Sequence, residues 1–140
     1  PSTRPCVLYR FSDVYLTGAE AYFKAGNTLK AAELINVVRK RAAFRKSNSA
    51  SQNTAAANAM TISATDVTLD FILDERSREF FGEWQRWHGL VRTRSLVRRG
   101  QAWNPEAAPY IKDFHQLRPI PQAQIDRVTE GPPFPQNPNY

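Results

Sequence analysis

The chain has 140 residues, a hydrophobic content of 41% and a formal net charge of +6. A single domain of this length buries about 68% of the surface that its unfolded chain exposes, and the apolar content excludes wholesale disorder. No stretch approaches the roughly 18 consecutive apolar residues that a membrane-spanning helix requires. The first ten residues have neither a basic head nor an apolar run, so we expect any export signal to lie upstream, in a longer protein of which this chain is a fragment.

All ten prolines lie outside residues 6–104, and because proline is costly inside helices this range is predicted to be helical. A first helix is expected from about Leu8 to Lys24, where apolar residues recur at three-and-four spacing. Gly26 ends it, and a second helix follows from about Leu29 to Phe44. Residues 8–46 are therefore predicted to form a helix hairpin of the tetratricopeptide type. The expected apolar stripe of the first helix is Leu8, Phe11, Tyr15, Ala19, Tyr22 and Phe23.

The rest of the chain divides by composition. Residues 47–64 are rich in Ser, Asn, Ala and Thr and are interpreted as a polar, low-complexity linker that is mobile or weakly ordered. Residues 65–99 resume the helical pattern, with a break expected near Gly82 and an end at Gly100. Residues 100–140 contain eight prolines and are predicted to be an extended tail, with a short helical turn starting at Pro121. The predicted fold class is therefore all-α with a proline-rich tail.

The residues from Glu75 to Arg92 form the most informative constellation. In a helix, Glu75 and Glu79 lie one turn apart on one face, and Arg86 returns near the azimuth of Glu75. Carboxylates and arginines interleaved with aromatic residues favour guanidinium–carboxylate pairs, and we expect Arg86 to be buried between carboxylates and beside Trp87. The predicted structural network comprises Glu75, Arg76, Glu79, Phe80, Glu83, Arg86, Trp87 and Arg92.

A catalytic use of these carboxylates is the competing interpretation. A glycosidase requires a carboxylic acid with a raised pKa, whereas nearby arginines keep carboxylates ionised, so no catalytic residue is predicted. The two histidines, His88 and His115, and the single cysteine, Cys6, lie at no metal-ligand spacing. Neither a metal nor a cofactor is predicted.

Basic residues cluster at two places in the sequence: Arg39, Lys40, Arg41, Arg45 and Lys46, and then Arg92, Arg94, Arg98 and Arg99. Nucleic acid or an anionic surface could use such clusters. Solvated helix ends, where cations complement the helix dipole, are the favoured interpretation. Trp103 is a candidate for stacking on a sugar ring, and an aromatic anchor in a surface loop is the favoured interpretation.

The Glu75–Arg92 stretch, with its order Glu-Arg-x-x-Glu-Phe-x-x-Glu-x-x-Arg-Trp-x-x-Leu-x-Arg, resembles the signature of the SusD/RagB family. The ending Pro119-Ile120-Pro121 followed by Gln136-Asn137-Pro138-x-Tyr140 is similar to the C-terminus of that family. The first hairpin also resembles the last repeat-type helix pair of the family. Two departures are Gly89, where the family usually has aspartate, and Trp84, where it usually has glycine.

This resemblance implies a lipoprotein at the cell surface of the outer membrane, lipid-anchored through an upstream segment, that binds oligosaccharides or other nutrients. Its implied partner is a SusC-type TonB-dependent transporter, and nucleic acid is not a predicted partner. Because the sugar site in the family is built mostly by preceding segments, the resemblance implies that this segment is mainly scaffold. The alternative from a different class is a self-contained helical-repeat scaffold that binds a peptide.

Overall fold

The computed structural model describes residues 8–140, and the chain divides into two compact units, the first ending at Arg86 and the second comprising Trp87–Tyr140. Within the described residues there are seven α-helices, two 3₁₀-helices and no strand, which confirms the all-α prediction. The α-helices are α1 (Phe11–Lys24), α2 (Thr28–Ala43), α3 (Ala50–Ala59), α4 (Leu69–Glu79), α5 (Gln85–Arg92), α6 (Leu96–Trp103) and α7 (Gln122–Ile125). The 3₁₀-helices are Ala64–Asp66 and Asp113–Gln116.

Helices α1 and α2 pack against each other across a short turn whose residues set both helix ends. Gly26 has φ +79°, a left-handed conformation that favours glycine after a helix C-terminus. The side chain of Asn27 accepts a hydrogen bond from the backbone N of Lys30 at 3.0 Å, so Asn27 is the N-cap of α2. The sequence predicted that Gly26 ends the first helix, whereas α1 begins at Phe11 rather than at Leu8.

The core of the first unit lies where α1, α2 and α4 meet. The buried residues of this core are Leu16, Ala19, Ala31, Ala32, Ile35, Val38, Val67, Ile72 and Phe80. The small side chains of Ala19 and Ala31 are fully buried, which allows the two helix backbones to approach closely. The expected stripe of α1 is partly wrong: Leu8, Phe11 and Tyr22 are exposed, and Leu16 is fully buried instead. The reason is that α1 packs against α4 as well as α2, so its buried face is rotated toward Leu16.

The segment 47–64 is not the plain linker that its composition suggested, because it contains α3. Ser49 accepts a hydrogen bond from the backbone N of Gln52 while the Gln52 side chain accepts from the backbone N of Ser49. This reciprocal pair is a capping box, a local signal that starts a helix even in a polar sequence. None of the α3 residues is buried, so its mobility stays a prediction.

The predicted helical block at residues 65–99 is divided in two places. Gly82, with φ +77°, lies in the turn between α4 and α5, as predicted. The expected end at Gly100 is wrong, since α6 continues to Trp103 and the second break lies at Arg94, with φ +51°. The backbone N of Ser95 donates to Leu90 O at 2.8 Å across that break, so a helix end forms there without a glycine.

The tail of the second unit is held by its own last residues. The amide of Gln136 accepts from Ile120 N at 2.7 Å and donates to Ile120 O at 2.9 Å. The Tyr140 hydroxyl donates to Leu117 O at 2.8 Å, and Asn137 donates to Arg118 O at 2.6 Å. The predicted helical turn after Pro121 is confirmed as α7.

Candidate functional site: an arginine–carboxylate network

Glu75, in the middle of α4, receives one arginine from another helix and one from its own. Arg39 of α2 places Nη1 at 2.7 Å from Glu75 Oε2, and Arg78 places Nη2 at the same distance from the same oxygen. The side chains of Glu75 and Arg39 are largely buried, whereas the side chain of Arg78 is exposed. Arg39 also donates from Nε to Met60 O at 2.6 Å, which ties α2 to the segment that follows α3.

Glu79, one turn after Glu75, is held in the same way. Arg10, just before α1, places Nη1 at 2.7 Å from Glu79 Oε1, and its Nη2 donates to Glu79 O at 2.6 Å. Nη2 of Arg41, in α2, donates to both oxygens of the same carboxylate. Arg10 Nη2 also lies 2.8 Å from Glu83 Oε1, so one guanidinium bridges the end of α4 and the turn that follows.

Two buried or half-buried aromatic rings lie under these guanidinium groups. The Cζ atoms of Arg10 and Arg76 each lie 5.2 Å from the centroid of the Phe80 ring, and Phe80 is buried. Arg39 and Arg78 lie over Phe71 at 5.6 and 5.7 Å. Planar guanidinium groups stack on aromatic faces and still pair with carboxylates, which lysine does less well.

Arg76 extends the network to the start of α1 and to the start of α5. Its Nη2 lies 2.6 Å from Asp13 Oδ1 and 2.9 Å from Gln85 Oε1. The side chains of Arg76 and Asp13 are both largely buried. Asp13 lies in the first turn of α1, where a carboxylate also complements the helix dipole.

The hydrogen bonds of the network stabilise the positive charge of Arg10. The hydrogen bond to Glu83, followed by that to Glu79, raises the pKa of the Arg10 guanidinium although partial burial opposes the change. Glu75 and Glu79 each accept from two arginines at contact distance. A general acid requires the opposite environment, an apolar pocket that favours the protonated carboxyl.

Three predicted members of the network differ from expectation. Arg86 is exposed rather than buried, and its Nη1 donates to Leu73 O at 2.9 Å. The turn at Gly82 is the physical reason, because it takes α5 out of the helical register that would place Arg86 over Glu75. Trp87 and Arg92 belong to the second unit, where Arg118 lies over the Trp87 ring at 5.1 Å from its centroid.

Arg39 and Arg99 do not fit the expected solvated helix ends. Arg39 is in a largely buried ion pair, and Arg99 is one of the buried residues of α6. Arg10 and Asp13 also belong to the network and were not predicted from the sequence as members of it. The signal available in the sequence was their position at the start of α1. The carboxylates of α4 require positively charged partners, and these can come from elsewhere in the chain.

The described part of the chain contains neither a cluster of metal-ligating residues nor a membrane-spanning helix. Residues 8–140 contain no cluster of three or more histidine, cysteine, aspartate or glutamate side chains that could hold a metal ion. Cys6 lies outside the described residues. Among the described helices none has both the length and the apolar character needed to cross a membrane.

The described residues thus form an all-α fold in which the carboxylates of Glu75 and Glu79 are paired with arginines. The model of the SusD family matches residues 2–140, and the chain therefore belongs to the SusD family. It is 35% identical over 91 residues to "SusD-like protein P38" of Formosa agariphila, a match that covers 65% of this chain and 17% of that protein. No solved structure matches the chain.

Members of the SusD family are non-catalytic, nutrient-binding proteins, and this membership confirms both the resemblance and the prediction that the chain is not an enzyme. The aligned region spans about one sixth of the curated relative that it matches. The role of the whole protein, its ligand and its partners are therefore proposals.

Proposed function

We propose that this chain is the C-terminal part of a lipoprotein that binds oligosaccharides or other nutrients and delivers them to a SusC-type TonB-dependent transporter. The observation that carries the proposal is the family match over residues 2–140. In this proposal the protein lies at the outer-membrane surface and is lipid-anchored through a segment upstream of Pro1. The segment itself acts mainly as scaffold.

The scaffold role is supported by what the network joins. Arg39 and Arg41 connect α2 to α4, and Arg10 connects the start of α1 to the end of α4. Removing one partner of a buried ion pair leaves an uncompensated charge and typically costs about 3–5 kcal/mol. A network of this kind holds three helices in one arrangement, which a ligand site elsewhere in the protein would require.

A tetratricopeptide-like array is supported by the exposed side of the α1–α2 pair. Phe11, Val14 and Tyr22 of α1 are large and exposed, and their spacing places them on one side of the helix. Repeat-type helix pairs bury such sides against neighbouring pairs. We propose that further helix pairs of the longer protein cover this side.

The same exposed side is the observation that favours the second candidate, a helical scaffold that binds a peptide. A peptide helix would lay its apolar residues against Phe11, Val14 and Tyr22. The two candidates differ in partner: an outer-membrane transporter in the first and a peptide-bearing protein in the second.

Co-purification from the native host with an affinity-tagged full-length protein tests the proposal. The expected result is recovery of a TonB-dependent transporter in a near-stoichiometric amount. Protease added to intact cells should also remove the tag, because the proposal places the protein at the cell surface. An unrelated tagged surface lipoprotein is the control and should recover none. Recovery of a different protein that binds through a peptide, or a protease-protected tag, would contradict the proposal.

A further inference from the structure

Three helix ends of the first unit meet at one place, and hydrogen-bonded ion pairs hold them there. Arg41, in the last turn of α2, donates from Nη2 to Oε1 of Glu79, the last residue of α4, at 2.6 Å. Arg10, the N-cap residue of α1, donates to Glu79 O at 2.6 Å and to Glu83 Oε1 at 2.8 Å. The start of α1 and the ends of α2 and α4 therefore form one end of the unit, here named the Arg41–Glu79 end.

Three large aromatic side chains are exposed on the segments that leave α2 and α4 at this end. Phe44, directly after α2, is 60% exposed, and its backbone N donates to Arg41 O at 3.2 Å. Phe81 and Trp84 lie in the turn after α4 and are 92% and 84% exposed. In the part of the chain that the structure describes, none of these rings takes part in an aromatic or cation–π pair. Single exposed apolar side chains are common, whereas several large ones at one place indicate a contact surface.

The same end carries an excess of positive charge. Residues 39–46 contain five lysine and arginine residues and no acid. Two of the five, Arg39 and Arg41, are paired with carboxylates of α4. The other three are exposed and form no ion pair among residues 8–140; they are Lys40, Arg45 and Lys46. Their charge is therefore available to an anionic partner.

The combination of exposed rings and cations matches the surface of an anionic lipid bilayer. Lysine and arginine near such a surface are attracted by the lipid phosphates. Tryptophan and phenylalanine favour the headgroup region, where their rings leave water without entering the hydrocarbon core completely. An acidic protein segment would pair with the cations, but it would give Phe81 and Trp84 no apolar region to enter. The bilayer is therefore the partner that uses both features.

We propose that the Arg41–Glu79 end is a peripheral docking surface for an anionic lipid bilayer. The three exposed rings enter the headgroup region, and the three exposed cations contact lipid phosphates. The availability of a bilayer rests on the proposed location at the outer-membrane surface. The inference goes beyond the proposed function, because it gives this segment a membrane contact of its own, in addition to the lipid anchor and the transporter.

The test is sedimentation of the full-length protein, prepared without its lipid anchor, with vesicles of phosphatidylcholine and phosphatidylglycerol in equal amounts. We expect the protein to bind these vesicles and not to bind vesicles of phosphatidylcholine alone at the same lipid concentration. The aromatic variant Phe81→Ala/Trp84→Ala and the charge variant Lys40→Glu/Lys46→Glu should each lower the partition coefficient about tenfold.

Matched controls change the same kinds of side chain elsewhere. Leu29→Ala/Tyr110→Ala removes two large exposed side chains, one at the opposite end of α2 and one in the second unit. Lys112→Glu/Arg127→Glu, at exposed positions of the second unit, changes the net charge by the same amount as the charge variant. Both controls should bind the vesicles as the unaltered protein does. Thermal midpoints of all variants should change little, because the substituted side chains are exposed.

The outcomes decide between the bilayer and other partners. No binding to the phosphatidylglycerol vesicles, or equal binding by the unaltered protein and both test variants, would overturn the inference. Loss of binding in only one test variant, or an equal loss in the matched controls, would also overturn it, because the contact would then not use both features. Binding to poly-glutamate through the same residues, without binding to vesicles, would assign the surface to an acidic protein segment instead. None of these results bears on the co-purification of a transporter, which tests the proposed function by itself.

Discussion

Arg39 Nη1 lies 2.7 Å from Glu75 Oε2, and these side chains, separated by 36 residues in sequence, are only 15% and 7% exposed. Arg78 contacts the same oxygen at the same distance from an exposed position. The two ion pairs have the same N–O distance and differ in the burial of the arginine side chain. Burial determines how much each pair contributes to the free energy of unfolding, since an exposed ion pair contributes about 0–1 kcal/mol whereas breaking a buried one is strongly destabilising.

Arg10 should not be replaceable by lysine. Its guanidinium donates to Glu79 and Glu83 and lies over Phe80, and a lysine ammonium cannot make this fork and the ring contact together. We expect Arg10→Lys to lower the free energy of unfolding by about 1–3 kcal/mol, measured by urea denaturation. Arg45→Lys is the control, because the Arg45 guanidinium is exposed and donates to the nearby carbonyl groups of Ala42 and Phe44. Equal shifts for both variants would contradict the bridging role.

Gln136 should hold the end of the tail in place. Its amide makes two hydrogen bonds to the backbone of Ile120, one as donor and one as acceptor. Gln136→Ala leaves that N–H and carbonyl without this partner, so limited proteolysis should cut residues 126–140 faster than in the unaltered chain. Gln124→Ala, at an exposed position of α7, is the control. An unchanged cleavage rate in Gln136→Ala would show that the tail is held by other contacts.

Helix α3 should open more readily than its neighbours. It has ten residues and buries none of them, and isolated helices of this length are marginal in water. We expect its amides to exchange with solvent much faster than those at the centre of α2, and faster again in Ser49→Ala, which removes the capping box. Protection of α3 equal to that of α2 would contradict the prediction that residues 47–64 are mobile.

Asp66 gives the fold a small acid dependence. Its carboxylate accepts from the Ser63 hydroxyl and the Ser63 backbone N, each at 2.7 Å, and these bonds lower the pKa of Asp66, with the side-chain bond as the larger cause. Because the folded pKa is the lower one, this stabilisation is present above about pH 4 and is lost as pH falls through the folded pKa. The difference in thermal midpoint between the unaltered chain and Asp66→Asn should therefore narrow below about pH 4. A difference that stays constant from pH 7 to pH 2 would contradict this.

Local signals in the sequence were sufficient for much of the fold. Asn27 and Gly26 fix their turn through hydrogen bonds with residues three positions away, and Gly82 allows the turn between α4 and α5 through its positive φ. The capping box at Ser49 and Gln52 is equally local, but the prediction for residues 47–64 was based on their polar composition alone. The composition of a segment predicts whether its side chains can be buried in a hydrophobic core. It does not exclude a short helix that has its own N-cap.

The partners of the carboxylates could not be predicted in the same way. Helical periodicity places Glu75 and Glu79 on one side of α4, but it does not say which helix that side faces. Arg39 and Arg41 reach them only because α2 packs where it does, and Arg10 only because α1 begins beside the end of α4. The position predicted for Arg86 was wrong because it assumed a continuous helix, and the turn at Gly82 interrupts that helix.

The structural role of the network is tested most directly by the urea midpoints of Arg39→Ala and Arg78→Ala, compared at equal m-value. Both variants remove an arginine that contacts Glu75 Oε2 at 2.7 Å. We predict that Arg39→Ala lowers the free energy of unfolding by about 3 kcal/mol, because the pair is largely buried, and that Arg78→Ala lowers it by less than about 1 kcal/mol. Equal and small losses would show that the carboxylate of Glu75 does not hold α2 against α4, and the scaffold account of this motif would be wrong.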